Sequence, residues 1–264
     1  MSVERLIEAI DERLLTLRKE GGQLAFPIVL DWAGEQDNAE RVLRLSSSGK
    51  CGRQLAYLTH YPDEKEDLNA RALNVFIHGD IIHEKERILI SQVTELKWVE
   101  ERVYFRVNDE VRVAGHIDGL VKVGDEWMIL DIKSINTRGF KEIQEGGMRP
   151  DYEAQVNAYM DATGVEKAIL WFYNKDTSHR HAVTMRYNPR VVEQVRLRFQ
   201  RVLDSTPDCL PDREYSPQAE VSRGKMTGRE YLPWQCSYCP FTERCWSSQG
   251  FKLQIDKGKP RWLR

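Results

Sequence analysis

Asp118, Asp131 and Lys133 form the strongest chemical pattern in the sequence. Between two runs rich in β-branched and aromatic residues lies Gly124-Asp125, where glycine suits the positive φ at the first central position of a two-residue type II′ hairpin turn. Such a turn pairs Val123 with Glu126. Counting outward by equal steps then sets Asp118 opposite Asp131. Directly opposed residues have Cβ atoms roughly 4.5 to 5.5 Å apart, so the two carboxylates face one side of the sheet. Lys133, two residues beyond Asp131, points to the same side. Ile129, Leu130 and Ile132 make the strand around Asp131 apolar enough to bury, and buried like charges call for a cation. A hard divalent ion such as Mg²⁺ takes oxygen ligands and bridges carboxylates to a phosphate. A salt bridge on a solvated strand is the competing reading.

The cysteines make a second constellation. Cys236-x-x-Cys239 is followed closely by Cys245, and one further ligand, for which Cys51 is the candidate, would close a four-coordinate site. Four thiolates suit tetrahedral zinc or a four-iron cluster. Structural zinc more often uses two local pairs, whereas here three ligands are local and one is distant, which leans toward iron. Free thiols on a surface turn compete with both. Cys209 stands outside the pattern as a bystander.

The segments Gly115-His116-Ile117-Asp118-Gly119 and Ile129-Leu130-Asp131-Ile132-Lys133-Ser134 resemble the PD-(D/E)XK nuclease superfamily, without the proline before the first aspartate. Its RecB-like branch carries a metal-binding histidine on the preceding helix. Gly79-Asp80-Ile81-Ile82-His83-Glu84 is similar to that element, with His83 as the match and His78 as the competitor. Gln155 and Tyr159, four apart and so on one helix face, match the branch's Gln-x-x-x-Tyr signature. They would position the lysine or contact a scissile-strand phosphate, unless they merely form a half-buried amphipathic face. Ser46-Ser47-Ser48-Gly49-Lys50-Cys51-Gly52-Arg53 resembles the N-terminal cysteine element of iron–sulfur RecB-like nucleases, which include CRISPR-associated adaptation nucleases and subunits of helicase–nuclease complexes.

The resemblance implies a 4Fe-4S cluster on Cys51, Cys236, Cys239 and Cys245 in a structural role. It implies Mg²⁺ or Mn²⁺ held by His83, Asp118, Asp131 and the Ile132 carbonyl. Lys133 would orient or help deprotonate the attacking water and stabilise charge on the phosphoryl oxygens. The implied substrate is DNA, single-stranded or with free ends, cut as by an exonuclease in repair, recombination or CRISPR adaptation. Partner proteins would be helicases or recombination or adaptation factors. Two rivals remain: a non-catalytic DNA-binding or assembly subunit, against which the intact Asp118, Asp131 and Lys133 argue, and a zinc protein with a fortuitous Asp-x-Lys.

Certain elements must position these groups. A long run of helix formers from Glu66 to Gln92 predicts a helix carrying His83. Strands are expected over Trp98 to Val107, Val111 to Val123 and Glu126 to Ser134, and again over Ala168 to Tyr173 and Ala182 to Tyr187. Helices are expected over Tyr152 to Thr163 and Pro189 to Leu203. This order predicts an α/β restriction-endonuclease-like core with a central mixed sheet flanked by helices. The 264 residues read as a single nuclease domain, with a core over about 66–205 and an iron–sulfur region from the segments around 46–60 and 206–250. The tail after Leu203 reads as loops anchored by something other than a conventional core.

With 39 basic and 41 acidic side chains the net charge is -2, so no global field draws in a polyanion and DNA contact must be local. Candidates are Arg186, Arg190, Arg196, Arg198, Arg201, Lys257, Lys259, Arg261 and Arg264, while Trp234, Tyr238, Phe241 and Trp246 either stack on bases or pack around the cysteines. The charged N-terminus lacks a signal peptide's apolar core and no long apolar run follows, so a cytoplasmic protein without membrane contact is expected. Five cysteines in such a chain argue against a disulfide framework.

Overall fold

The computed structural model describes residues 1–26, 43–64, 70–256 and 259–264. In chain order its elements are α1 (Val3–Glu20), α2 (Gly52–His60), α3 (Ala70–Ser91), β1 (Leu96–Lys97), β2 (Arg102–Arg106), β3 (Arg112–His116), β4 (Gly119–Val123) and β5 (Glu126–Ile135). There follow α4 (Thr137–Gln144), α5 (Pro150–Thr163), β6 (Lys167–Asn174), β7 (Arg180–Arg186), α6 (Pro189–Leu203), β8 (Gln218–Ser222), β9 (Lys225–Tyr231), α7 (Trp234–Ser237), α8 (Thr242–Trp246), β10 (Lys252–Asp256) and β11 (Lys259–Leu263). The chain divides into two compact units, Met1–Gly49 with Leu68–Phe199 and Lys50–Asp67 with Gln200–Arg264.

The first unit is built on a five-stranded mixed sheet in the order β1-β4-β5-β6-β7, with β5 and β6 parallel and the other neighbours antiparallel. Alternation along β5 sorts its side chains between two layers. Met128, Leu130 and Ile132 join Ile169 and Trp171 of β6 in a core closed by Val3, Leu6 and Ile10 of α1 and Leu89 and Ile90 of α3. Lys133 lies beside Phe172 in the parallel register, and Phe172 meets Tyr152 of α5, so Asp131 and Lys133 face the other layer. This is the α/β core with a central mixed sheet between helices that the sequence pattern predicts.

The hairpin register is as expected: Val123 pairs with Glu126 and Gly119 with Leu130. Gly124 has φ 63°, while Asp125 is not among the residues with positive φ, as a type II′ turn requires. The expected single strand Val111 to Val123, however, is broken. Its first part is β3, paired with β2 in a separate two-stranded sheet and bridged at Ala114 to Arg44, and its second part is β4 in the central sheet. Ile117 and Asp118 fall at the crossing. Within β3, Gly115 lies where a Cβ would stand 2.6 Å from the Leu45 Cβ and 3.0 Å from Tyr159 Cε1. Glycine lets β3 lie against this layer before the chain changes sheets. The expected strand from Trp98 is likewise interrupted, by positive φ at Trp98 (54°) and Glu100 (52°), and β2 starts only at Arg102.

The expected helix over Glu66 to Gln92 is described from Ala70 to Ser91, and its first residues lie outside the described ones. The helix α4 is an addition, capped by Asn136, whose side chain accepts from the Gly139 amide. The reading of the tail as loops is corrected by the second unit. There β10-β11-β9-β8 form an antiparallel sheet, beside an apolar cluster of Leu232, Cys236, Trp246 and Phe251. These strands escape the hydrophobic pattern because one position is a charge cluster: Glu220, 7% exposed, is paired with Arg229 and Arg261. Among the described residues no helix is long and apolar enough to cross a membrane.

Candidate active site

Asp118, Asp131, Lys133, His83, Gln155 and Tyr159 all belong to the first unit and form one connected chain of contacts. The crossing between sheets projects the Asp118 carboxylate back onto β5, where its Oδ2 accepts from the Ile132 amide at 2.5 Å. Its Oδ1 lies 3.1 Å from Nδ1 of His83. Across the hairpin, Asp131 is 2% exposed, and Lys133 Nζ approaches its Oδ1 at 3.1 Å and its Oδ2 at 2.8 Å. Only the Oδ1 contact has hydrogen-bond geometry, so the Asp131 Oδ2 is a buried carboxylate oxygen without a hydrogen bond. Nζ also donates to Gln155 Oε1 at 3.0 Å, and Gln155 Nε2 donates to Tyr159 Oη at 3.2 Å.

Burial and charge act against each other here. Burial disfavours the Asp118 carboxylate, yet His83, Lys133 and the Ile132 amide outweigh it and hold the group below the usual carboxylate range. For Asp131 burial prevails over Lys133, with repulsion from Asp118 adding to it, and the pKa lies above the usual range. Burial disfavours the Lys133 ammonium, and Asp131 and Asp118 more than restore it. Burial likewise opposes charge on His83, and Asp118 lifts its pKa above that of a free imidazole. Of the four carboxylate oxygens of Asp118 and Asp131, only the Asp131 Oδ2 lacks a hydrogen bond.

Of the two candidate histidines, His83 reaches Asp118, whereas His78 is exposed. Tyr159 is 2% exposed, and its phenol touches Gln155 instead of facing outward, which suits positioning better than phosphate contact. For Ile132 the atom in contact with the site residues is the backbone amide. Three residues went unnoticed in the sequence. Tyr152 sits three before Gln155 on α5, its ring centroid 5.3 Å from Lys133 Nζ, with the Arg149 guanidinium 4.3 Å over that ring. Arg87, four after His83 on α3, is buried between Glu84 and Glu100. The spacings of three and four were the signal, since such residues share a helix face.

Cys51, Cys236, Cys239 and Cys245 all fall in the second unit as free thiols. Burial, followed by the neighbouring Cys51, Cys239 and Cys245, pushes the Cys236 thiol up to about 12, and burial with Cys51 and Cys245 pushes Cys239 up to about 11. Arg213 Nε donates to Cys245 Sγ at 3.4 Å. Phe241 and Trp246 are buried, while Trp234 is 51% and Tyr238 84% exposed. Among the described residues no three His, Cys, Asp or Glu side chains already stand as a metal-binding group. In the first unit both oxygens of Asp118 are engaged by His83 and Ile132, and the Asp131 Oδ1 by Lys133.

Several of the expected phosphate contacts are engaged internally. Arg196 pairs with Glu193 and Asp161, Arg198 donates to the Ser48 carbonyl, Arg261 pairs with Glu220 and Arg264 with Glu230. Arg186, Arg190 and Arg201 are exposed, and Lys257 and the Lys259 side chain lie outside the described residues.

Among curated proteins none matches this chain. Of the solved structures, SSO0001 is 16% identical, with 90% of this chain and 93% of that one covered and a TM-score of 0.47. An alkaline exonuclease from Laribacter hongkongensis is 17% identical, with coverages of 64% and 90% and a TM-score of 0.45. A phage-related exonuclease from Haemophilus somnus is 15% identical, with coverages of 60% and 90% and a TM-score of 0.40. The family model of the PD-(D/E)XK nuclease superfamily matches residues 34–246, most of the sequence and all of the residues proposed for the two centres. The chain belongs to the PD-(D/E)XK nuclease superfamily.

Proposed function

We propose that the chain is a Mg²⁺- or Mn²⁺-dependent deoxyribonuclease that degrades single-stranded DNA from an end. The observation that carries this reading is the buried Asp131 Oδ2, without a hydrogen bond, beside Asp118 and Lys133. Oxygen donors on two carboxylates with an adjacent imidazole suit a hard divalent ion, and a buried carboxylate short of partners has a vacancy such an ion satisfies. Asp118, Asp131 and His83 would hold the ion, with the Ile132 carbonyl as a further ligand by family resemblance. The ion supplies activation of water and neutralisation of phosphate charge.

The chain's own groups do the rest. Lys133 is held as an ammonium by Asp131 and Asp118, so it orients the water and stabilises phosphoryl charge more readily than it removes a proton. Gln155 fixes the ammonium from the side opposite the carboxylates' strand, and Tyr159 fixes Gln155. Both are positioning residues. Tyr152 and Arg149, at the start of α5, border the lysine where a phosphate or base would approach.

The second unit, on this reading, belongs to the same nuclease and carries a 4Fe-4S cluster on Cys51, Cys236, Cys239 and Cys245. In support, Cys51 and Cys245 are near enough to Cys236 and Cys239 to help burial raise those two thiols, and Cys236 is 9% exposed within an apolar cluster. Thiolate ligation would relieve that mutual repulsion and tie the segment around Cys51 to the tail.

The test is degradation of end-labelled linear and closed circular single-stranded DNA with Mg²⁺ or Mn²⁺, comparing the native chain with Asp131→Ala. Loss of linear DNA that vanishes in the variant and spares circles supports the exonuclease; cleaved circles add endonuclease action. Inactivity of the native chain with its cluster intact moves the function to a DNA-binding subunit.

A further inference from the structure

None of the residues proposed for the centre lies on the hairpin of β8 and β9 in the second unit, yet its composition is organised. Its two central residues, Arg223 (φ 50°) and Gly224 (φ 76°), are both left-handed, as in a type I′ turn. The first position of that turn favours Asn, Asp or Gly, and an arginine there holds its backbone in a conformation that L residues avoid. Backbone strain of this kind gathers where a side chain is needed. Here it places a guanidinium at the tip, next to Lys225, which pairs with Ser222 across the ladder.

The cations of this sheet fall into two sets. Arg229 and Arg261 are neutralised by Glu220. Arg223 and Lys225 are exposed, and among the described residues neither forms an ion pair. Directly behind the tip, Val221 (59% exposed) and Met226 (66% exposed) are cross-strand partners and therefore share one face. The tip is thus a two-residue turn with Arg223 at its apex, and among the described residues its two cations form no ion pair; the apolar pair lies behind it on one face of the ladder, and Lys225, adjacent to Met226, lies on the other. A partner protein adding a strand would use the open edge of β8, but the ladder is irregular between Ala219 and Val221, and bulges of this kind blunt edges. The charge and the exposed face favour a polyanion with an apolar interior.

We propose that the β8–β9 hairpin contacts DNA as a two-stranded ribbon in a groove, with Val221 and Met226 on one face against the bases and with Arg223 at the tip and Lys225 on the opposite face each taking a phosphate. Methionine is among the apolar side chains that serve as wedges against base steps. The inference rests on the nuclease reading for its choice of polyanion.

The test is fluorescence anisotropy of a labelled DNA duplex, and of the same sequence as a single strand, with the full chain in EDTA over a series of salt concentrations. Each duplex phosphate that a cation no longer neutralises lowers the slope of log K against log salt by about 0.9, so Arg223→Gln with Lys225→Gln is expected to weaken binding and flatten the slope by about 1.8. Met226→Ser is expected to weaken binding without altering the slope. All three positions are exposed, so thermal melting should match the native chain. Native affinity and slope in the double variant overturn the proposal and leave the face to a protein partner. The native chain's cleavage of DNA, measured in parallel, separates the two readings. Normal cleavage with unaffected variants sinks the hairpin alone, whereas a native chain that neither binds nor cuts DNA sinks both.

Discussion

Replacing Glu86 by leucine tests whether α3, which carries His83, is locked to the sheet by charge. Glu86 is fully buried, accepts from Trp171 Nε1 at 3.0 Å and Arg180 Nε at 2.7 Å, and forms an ion pair with Lys85 Nζ at 3.1 Å. Arg180 is itself only 9% exposed and would keep Asp11, whose side chain is 60% exposed and so a weak substitute. Removing one member of a buried pair costs about 3 to 5 kcal/mol; with Asp11 retained the lower end applies, about 3 kcal/mol. The indole N–H stranded on Trp171 adds about 1 kcal/mol. The expected loss is about 4 kcal/mol, read as a lower urea midpoint at unchanged slope. Removing both charges, Glu86→Leu with Arg180→Leu, should restore most of it and leave about the 1 kcal/mol owed to the indole. A single variant as stable as the native chain, or a double variant no better than the single one, would refute the reasoning.

Tyr159→Phe removes one buried hydrogen bond to Gln155, worth about 1 kcal/mol, and should slow single-turnover cleavage about fivefold without abolishing it. Gly115→Ala forces a methyl into the Leu45 and Tyr159 side chains and should cost about 1 to 3 kcal/mol in a denaturant melt. Anaerobically prepared protein should carry about four iron atoms per chain, and Cys236→Ser should lose most of them; zinc in their place would overturn the cluster.

The central hairpin was legible because turn geometry fixes register. Once Gly124-Asp125 is read as a two-residue turn, the pairing of Val123 with Glu126 and of Gly119 with Leu130 follows by counting; the ladder ends there, one step short of Asp118 and Asp131. The helix over Pro189–Leu203 was legible from its initial proline, which suits the first turn. What escaped was set by tertiary contact. The run from Arg112 to Val123 reads as one strand, yet it is divided between two sheets, and the Leu45 and Tyr159 side chains that pack against Gly115 in its first part are both distant in sequence. The tail sheet escaped because Glu220, Arg229 and Arg261 fill one face with charges that pair only after folding. Within the site, the Asp-x-Lys and Gln-x-x-x-Tyr spacings foretold which residues meet. That Tyr159 acts through Gln155, while Tyr152 and Arg149 border the lysine, required the direction of each side chain.

The most direct test of the proposed centre is the single-turnover rate of Mg²⁺-dependent cleavage of linear single-stranded DNA by Lys133→Met, which keeps the apolar stem and removes the ammonium beside Asp131 and Gln155. Loss of a donor aimed at developing phosphoryl charge should lower the rate by about 10²- to 10³-fold, with DNA binding retained. Cleavage at the native rate would contradict the assignment of Lys133 and, with it, the catalytic reading of the Asp118–Asp131 hairpin.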